Sequence, residues 1–204
     1  MTFLRVALTG GIATGKSYVL KRFDQRSLPT VDTDQLSRDV VRRGQPASAE
    51  IRRRFGAGVF QPDGELDRAR IAERVFRDAA ERAALEAIVH PYVRLALEQW
   101  FDALESDRQA TVGIAAIPLL YETGRAPAFD KVVVTSCDVA EQLKRLTARD
   151  GLSEEDARRR VEAQLPTAEK VAQADFVIRT DGSFESTDAQ ADAVCERLLA
   201  TALP

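Results

Sequence analysis

Residues 10–17 read Gly10-Gly11-Ile12-Ala13-Thr14-Gly15-Lys16-Ser17 and satisfy G-x-x-x-x-G-K-[ST]. An apolar run at residues 3–9 precedes this segment and a helix-forming stretch follows it, so the chain must open with a strand, a tight glycine-rich loop and a helix. Such a loop turns backbone N–H groups inward toward phosphate oxygens, and the following helix presents its positive end to the same anion. Gly10 and Gly15 permit the dihedrals and the close approach. Lys16 is expected to reach β- and γ-phosphates, and the Ser17 hydroxyl to coordinate Mg²⁺.

Further short, β-branched runs at residues 29–34, 111–120, 131–136 and 175–180 read as strands separated by helical stretches. None strictly alternates, as expected where both faces of a sheet are covered. The pattern predicts an α/β fold with a five-stranded parallel sheet and flanking helices. Residues 35–110 are too many for one crossover and read as helices at 35–44, 47–55, 67–77 and 79–104, a helical insert beside a core made of residues 1–34 and 111–204. Pro62-Asp63-Gly64 predicts a turn, and His90-Pro91 an interruption of the last helix. A helix at 139–150, stopped by Gly151, and a second one begun by a Ser153/Asp156 capping box predict a helical lid at about 145–166. Residues 201–204 read as a loose end.

Composition excludes several classes. The 204 residues are 45% apolar, enough for a core, and 29 basic against 32 acidic side chains leave a net charge of −3, which argues against a dedicated nucleic-acid binder. No run approaches the ~20 apolar residues of a membrane span, and the N-terminus reaches glycine before it could form a signal-peptide core, so a cytoplasmic protein is expected. Cys137 and Cys195 lack metal or redox spacing and read as reduced core residues.

Asp32 and Asp34 stand two apart at the end of the second run, which in extended chain puts both carboxylates on one side. One could then orient or deprotonate an acceptor hydroxyl and the other hold the water shell of Mg²⁺. Equally, Asp32 could end the strand and Asp34 cap the next helix. Arg145 and Arg149 share a helical face and could clamp a phosphoryl group, with surface pairing to Glu141 and Asp150 as the plainer reading. His90, the only histidine, reads by itself as a helix-breaking corner.

Taken together, LTGGIATGKS (8–17), VDTDQLSR (31–38), VHPYVR (89–94), IPLLYETG (117–124), RLTARDGLSEEDARRRVEAQ (145–164) and ADFVIRTDG (174–182) resemble the dephospho-coenzyme A kinases across nearly the whole chain. The resemblance implies a P-loop kinase fold with a helical acceptor-binding insert. It also implies transfer of the γ-phosphoryl group of ATP to the ribose 3′-hydroxyl of dephospho-coenzyme A, with Mg²⁺ as cofactor. On it, Asp34, Lys16 and Arg149 are the catalytic residues, and Gly11, Ile12, Ala13, Thr14, Gly15, Lys16, Ser17, Tyr18 and Arg145 bind ATP. Thr9, Asp34, Arg38, His90, Leu119 and Glu122 bind the acceptor; Ser17 and, through water, Asp32 hold the metal. The implied partners are these two small molecules, with no nucleic acid and no membrane.

The chain departs from the family pattern at three places. Ala13 stands where glycine is usual and is expected to stay out of glycine's dihedrals. Tyr18 replaces a small hydroxyl residue, leaving its backbone N–H available to a ligand. Arg179-Thr180 replaces an acidic or amide pair near the adenine. Two other functions compete. A shikimate, gluconate or nucleotide kinase would need little of the long insert. An ATP-driven switch should carry a magnesium carboxylate on its third strand, which here reads Ala115-Ala116-Ile117-Pro118.

Overall fold

The computed structural model describes residues 3–107 and 110–202. β1 (Leu4–Gly10) is buried at every residue except Arg5, and this two-sided burial explains why its sequence does not alternate. It is followed by α1 (Lys16–Gln25), β2 (Thr30–Asp32), α2 (Thr33–Asp39), α3 (Pro46–Phe55), α4 (Arg68–Arg77) and α5 (Ala79–Asp107). Then come β3 (Val112–Ala116), β4 (Lys131–Ser136), α6 (Val139–Asp150), α7 (Glu154–Glu162), α8 (Thr167–Ala172), β5 (Phe176–Arg179) and α9 (Phe184–Ala202). Among the described residues the five strands form one parallel sheet in the order β2-β3-β1-β4-β5. The connections leave β1 and β4 toward opposite edges, so the loop after β1 sits at the carboxyl-end crevice where open α/β sheets bind ligands. β5 departs from expectation: buried Phe176 and Ile178 alternate with exposed Val177 and Arg179, as an edge strand covered on one face should.

The chain divides into two units, Met1–Asp32 with Ala103–Pro204, and Thr33–Asp102. In the sheet-bearing unit, Val19 and Phe23 of α1 and Val194 and Leu198 of α9 join Val6, Leu8, Ile114 and Ile178 in one apolar cluster. Each such fully buried side chain contributes about 1.5–3 kcal/mol. Arg22 fixes α1 to α9 with a two-pronged pair to Asp192, at 2.8 and 2.6 Å. Residues 201 and 202 belong to α9, with Ala202 buried, contrary to the expected loose end; 203 and 204 lie outside the described residues, as do 108 and 109 near the expected end of the insert.

In the helical unit, Ile51, Phe55, Val59, Phe60, Ile71, Val89 and Val93 form a second core. The turn at residues 62–64 is present, and Asp67 caps α4 by accepting the Arg70 N–H at 3.1 Å. Two expectations fail here. The helix expected over 35–44 spans only Thr33–Asp39. The interruption at His90-Pro91 does not occur, because α5 runs through Pro91. Both residues are exposed, so the proline ring and the lost N–H fall on the solvent side. Meanwhile Val89, Val93, Leu97 and Phe101 form an uninterrupted buried stripe whose packing outweighs the cost of a helical proline.

Candidate active site

The loop after β1 is built by exclusion of side chains. A Cβ on Gly10 would lie 2.2 Å from the Thr135 hydroxyl and 2.5 Å from that of Thr14, so only glycine fits. Thr14 is 1% exposed; its hydroxyl donates to the Gly11 carbonyl at 2.7 Å and hydrogen-bonds Thr135 Oγ1 at 2.8 Å. Gly15 takes φ +81° just before α1. Ala13 does not avoid the left-handed region as expected: its φ is +61°. A left-handed alanine costs about 1–2 kcal/mol, so the surroundings must hold it there. Within the described residues the N–H groups of Ala13, Gly15, Lys16 and Ser17 find no protein acceptor, and no ion pair engages the Lys16 ammonium. Donors and a cation thus converge where a helix begins, the requirement for gripping a polyphosphate.

Arg145 supplies the hold on Ala13. Its Nη1 donates to the Ala13 carbonyl at 3.3 Å and to Thr180 Oγ1 at 3.1 Å, Nη2 donates to the Thr180 carbonyl, and Nε donates to Glu141 at 3.0 Å. Thr180 Oγ1 lies 2.9 Å from the Thr14 carbonyl. α6, the phosphate loop and the end of β5 are therefore one braced assembly. Beside it lies a cleft of about 510 Å³ lined by Gly15, Tyr18, Arg145, Thr180, Phe184 and Thr187. The rings of Tyr18 and Phe184 pack 5.0 Å apart, and Phe184 is 70% exposed, offering an aromatic face. The Tyr18 N–H is not available as expected; it donates to Gly15 at 3.0 Å, while its phenol donates to Asp188 and is thereby held above its ordinary pKa. Arg179 pairs with Asp181 and Asp138.

Arg149 is not brought to the loop. Both prongs of its guanidinium hold Asp150, at 2.7 and 2.9 Å, and this contact lowers the Asp150 pKa. Arg160 reaches the same carboxylate at 3.3 Å.

The two aspartates do not share a side in extended chain. β2 ends at Asp32, whose Cα pairs in register with Ala116, and helical dihedrals begin at Thr33. Asp34 therefore lies in the first turn of α2, where a carboxylate suits the helix dipole, and the period-two argument lapses. Thr9 is fully buried and its hydroxyl donates to the Pro118 carbonyl at 3.4 Å, at the start of the turn that carries Leu119 and Glu122. Leu119 is 43% exposed. Glu122 is engaged by protein: its Oε1 lies 2.6 Å from the fully buried Lys170 ammonium and accepts the Leu165 N–H at 3.1 Å. Arg38 and His90 are exposed residues of the helical unit. Sequence reasoning gave no role to Gln164, whose Oε1 accepts the Ile12 N–H at 2.7 Å, although it ends the 145–164 segment that carries the family resemblance, nor to Lys170, which no periodicity or motif marks.

The CoaE dephospho-CoA kinase family model matches residues 4–186. The chain belongs to the dephospho-CoA kinase family. The dephospho-CoA kinase of Anaeromyxobacter dehalogenans is 46% identical over 199 residues, covering 96% of this chain and 90% of that protein. The dephospho-CoA kinase of Geobacillus kaustophilus is 43% identical over 194 residues, covering 95% and 96%. The crystal structure of TT1252 from Thermus thermophilus superposes with a TM-score of 0.81 at 32% identity, over 97% of this chain and 99% of that one. The stretch matched to the dephospho-CoA kinase family runs from β1 into α9 and includes the phosphate loop, both aspartates, the Arg145 brace and Phe184. Among the described residues no helix is long and apolar enough to cross a membrane.

Proposed function

We propose that this chain is an ATP-dependent kinase that phosphorylates the ribose 3′-hydroxyl of dephospho-coenzyme A, the step that completes coenzyme A. The observation that carries the reading is the braced loop, with its unpartnered N–H donors and Lys16, in a chain of this family. In the reaction the 3′-oxygen forms a bond to the γ-phosphorus, the bond from that phosphorus to the β,γ-bridging oxygen breaks, and ADP leaves. The hydroxyl proton passes to a carboxylate, for which Asp34 is the candidate.

Lys16 and the N–H groups of Ala13, Gly15, Lys16 and Ser17 hold the phosphates and stabilise charge as it shifts. Arg145 shapes the loop, and the cleft lined by Tyr18, Thr180 and Phe184 takes the base. Arg149 exchanges Asp150 for phosphate oxygens during transfer, where a planar fork outperforms a point charge. Thr9 fixes the turn that offers Leu119 as an apolar contact to the pantetheine arm, and Arg38 and His90 also serve acceptor binding.

Magnesium fits this donor set. Ser17 and Asp32 offer hard oxygens, and among the described residues no three His, Cys, Asp or Glu side chains gather as a metal cage. That suits an ion bound mainly through phosphate and water oxygens. When bound, it neutralises phosphate charge. A cytoplasmic location follows the same reading, since both substrates are small, charged and soluble.

The test separates the two aspartates. Asp34→Asn retains size but cannot take the proton, so turnover should fall by roughly 10²–10⁴ with ATP affinity nearly unchanged. Asp32→Asn should shift the magnesium optimum upward and keep more of the maximal rate. If excess magnesium rescued the Asp34 variant and not the Asp32 variant, the two roles would have to be exchanged.

A further inference from the structure

Residues 164–170, the end of the α7–α8 connection and the first residues of α8, make four contacts with the loop and its surroundings. Gln164 Oε1 accepts the Ile12 N–H at 2.7 Å. The Leu165 N–H donates to Glu122 Oε1 at 3.1 Å. Thr167 Oγ1 lies 3.1 Å from Nε2 of Gln142, itself 1% exposed. Finally, the Lys170 ammonium, with its side chain wholly enclosed, stands 2.6 Å from the same Glu122 oxygen. The absence of a side chain at Gly11 permits the closeness, because a Cβ there would meet Thr167 Oγ1 at 2.7 Å and Gln142 Nε2 at 2.8 Å.

The consequence falls on one peptide plane. The carbonyl of the Gly11–Ile12 peptide accepts the Thr14 hydroxyl at 2.7 Å and the Thr14 N–H at 3.2 Å, and its N–H is held by Gln164. With both polar ends fixed, the plane cannot rotate, and the next residue, Ala13, is kept in its left-handed conformation. We infer that Gln164 is a positioning residue of the phosphate loop, and that the pairing of the enclosed Lys170 ammonium with Glu122 anchors the strap that carries it. Glu122 then acts through the strap and does not contact the acceptor. Removing the Glu122 charge strands the enclosed Lys170 ammonium, whereas removing both charges together is tolerated.

The inference rests on the loop's proposed role in holding ATP, and its first test reads nucleotide binding without any acceptor, so its failure is separable from a wrong acceptor. In Gln164→Met the dissociation constant of a non-hydrolysable ATP analogue, measured by calorimetry, should rise about fivefold to tenfold, as expected for one lost hydrogen bond. The KM for ATP should rise with it, while the KM for dephospho-coenzyme A stays within about twofold. An analogue affinity within twofold of the native value would overturn the role of Gln164, as would a variant that fails to fold. For the anchor, Lys170→Met combined with Glu122→Gln removes both charges and leaves an acceptor for Leu165. The double variant should melt well above Glu122→Gln alone and keep native KM values for both substrates. A double variant no more stable than that single one, or a folded one whose acceptor KM rises tenfold, would contradict the anchor.

Discussion

Arg145→Lys tests the brace around the phosphate loop. The guanidinium donates to Glu141, to the Ala13 carbonyl and to both oxygens of Thr180. A lysine can keep one of these contacts and reproduces none of the planar geometry. Hydrogen bonds from a charged donor contribute about 1.5–3 kcal/mol each when enclosed. The Arg145 side chain is 31% exposed, so water recovers a good part of the loss. The net destabilisation should be about 2–3 kcal/mol, which for a chain of this size lowers the melting temperature by roughly 4–12 °C. Left-handed Ala13 loses its clamp in the same step, and the KM for ATP should rise about tenfold. Thermal melts paired with initial rates at saturating dephospho-coenzyme A measure both effects. A melting temperature within about 1 °C of native together with an unchanged KM would refute the brace.

Two further outcomes follow from other features. Ala13→Gly relieves a left-handed alanine and loosens the unfolded chain, so the melting temperature should hold steady or rise; a drop equivalent to more than about 1 kcal/mol would contradict the conformation assigned to the loop. The hydrogen bond from Arg22 holds the Asp192 carboxyl below its ordinary pKa, with Arg26 adding to the effect. A depressed carboxylate pKa stabilises the fold above the unfolded value of about 3.9, and the contribution disappears as pH falls through the folded value. The melting-temperature gap between native protein and Asp192→Asn should therefore be present at neutral pH and close below about pH 4; a gap independent of pH would refute the pairing.

Much of the fold could be read along the chain because its signals are local. Five apolar runs gave five strands, and a loop motif placed between a strand and a helix fixed the carboxyl end of β1 as the phosphate site. What escaped depends on distant partners. Arg145 is separated from Ala13 by 132 positions and Gln164 from Ile12 by 152, and no periodicity encodes such pairings. Lys170 sits in a short helix whose composition gives no hint that its ammonium is enclosed. The misread aspartates have a different cause. Alternation holds only while the backbone stays extended, and β2 stops after three residues. Pro91 misled because a residue-level preference against helix yields to a buried stripe on the opposite face.

The central claim, that the braced loop delivers a phosphoryl group to the 3′-hydroxyl of dephospho-coenzyme A, is tested most directly by ADP release over a panel of acceptors. Native protein should turn over dephospho-coenzyme A and give coenzyme A phosphorylated at the 3′ position, identifiable by phosphorus NMR. AMP, adenosine, shikimate and gluconate should stay near background. Lys16→Ala should lose most of the turnover, by about 10² or more, while melting like the native protein. Phosphorylation of AMP or shikimate with none of dephospho-coenzyme A, or near-native turnover without Lys16, would contradict the account.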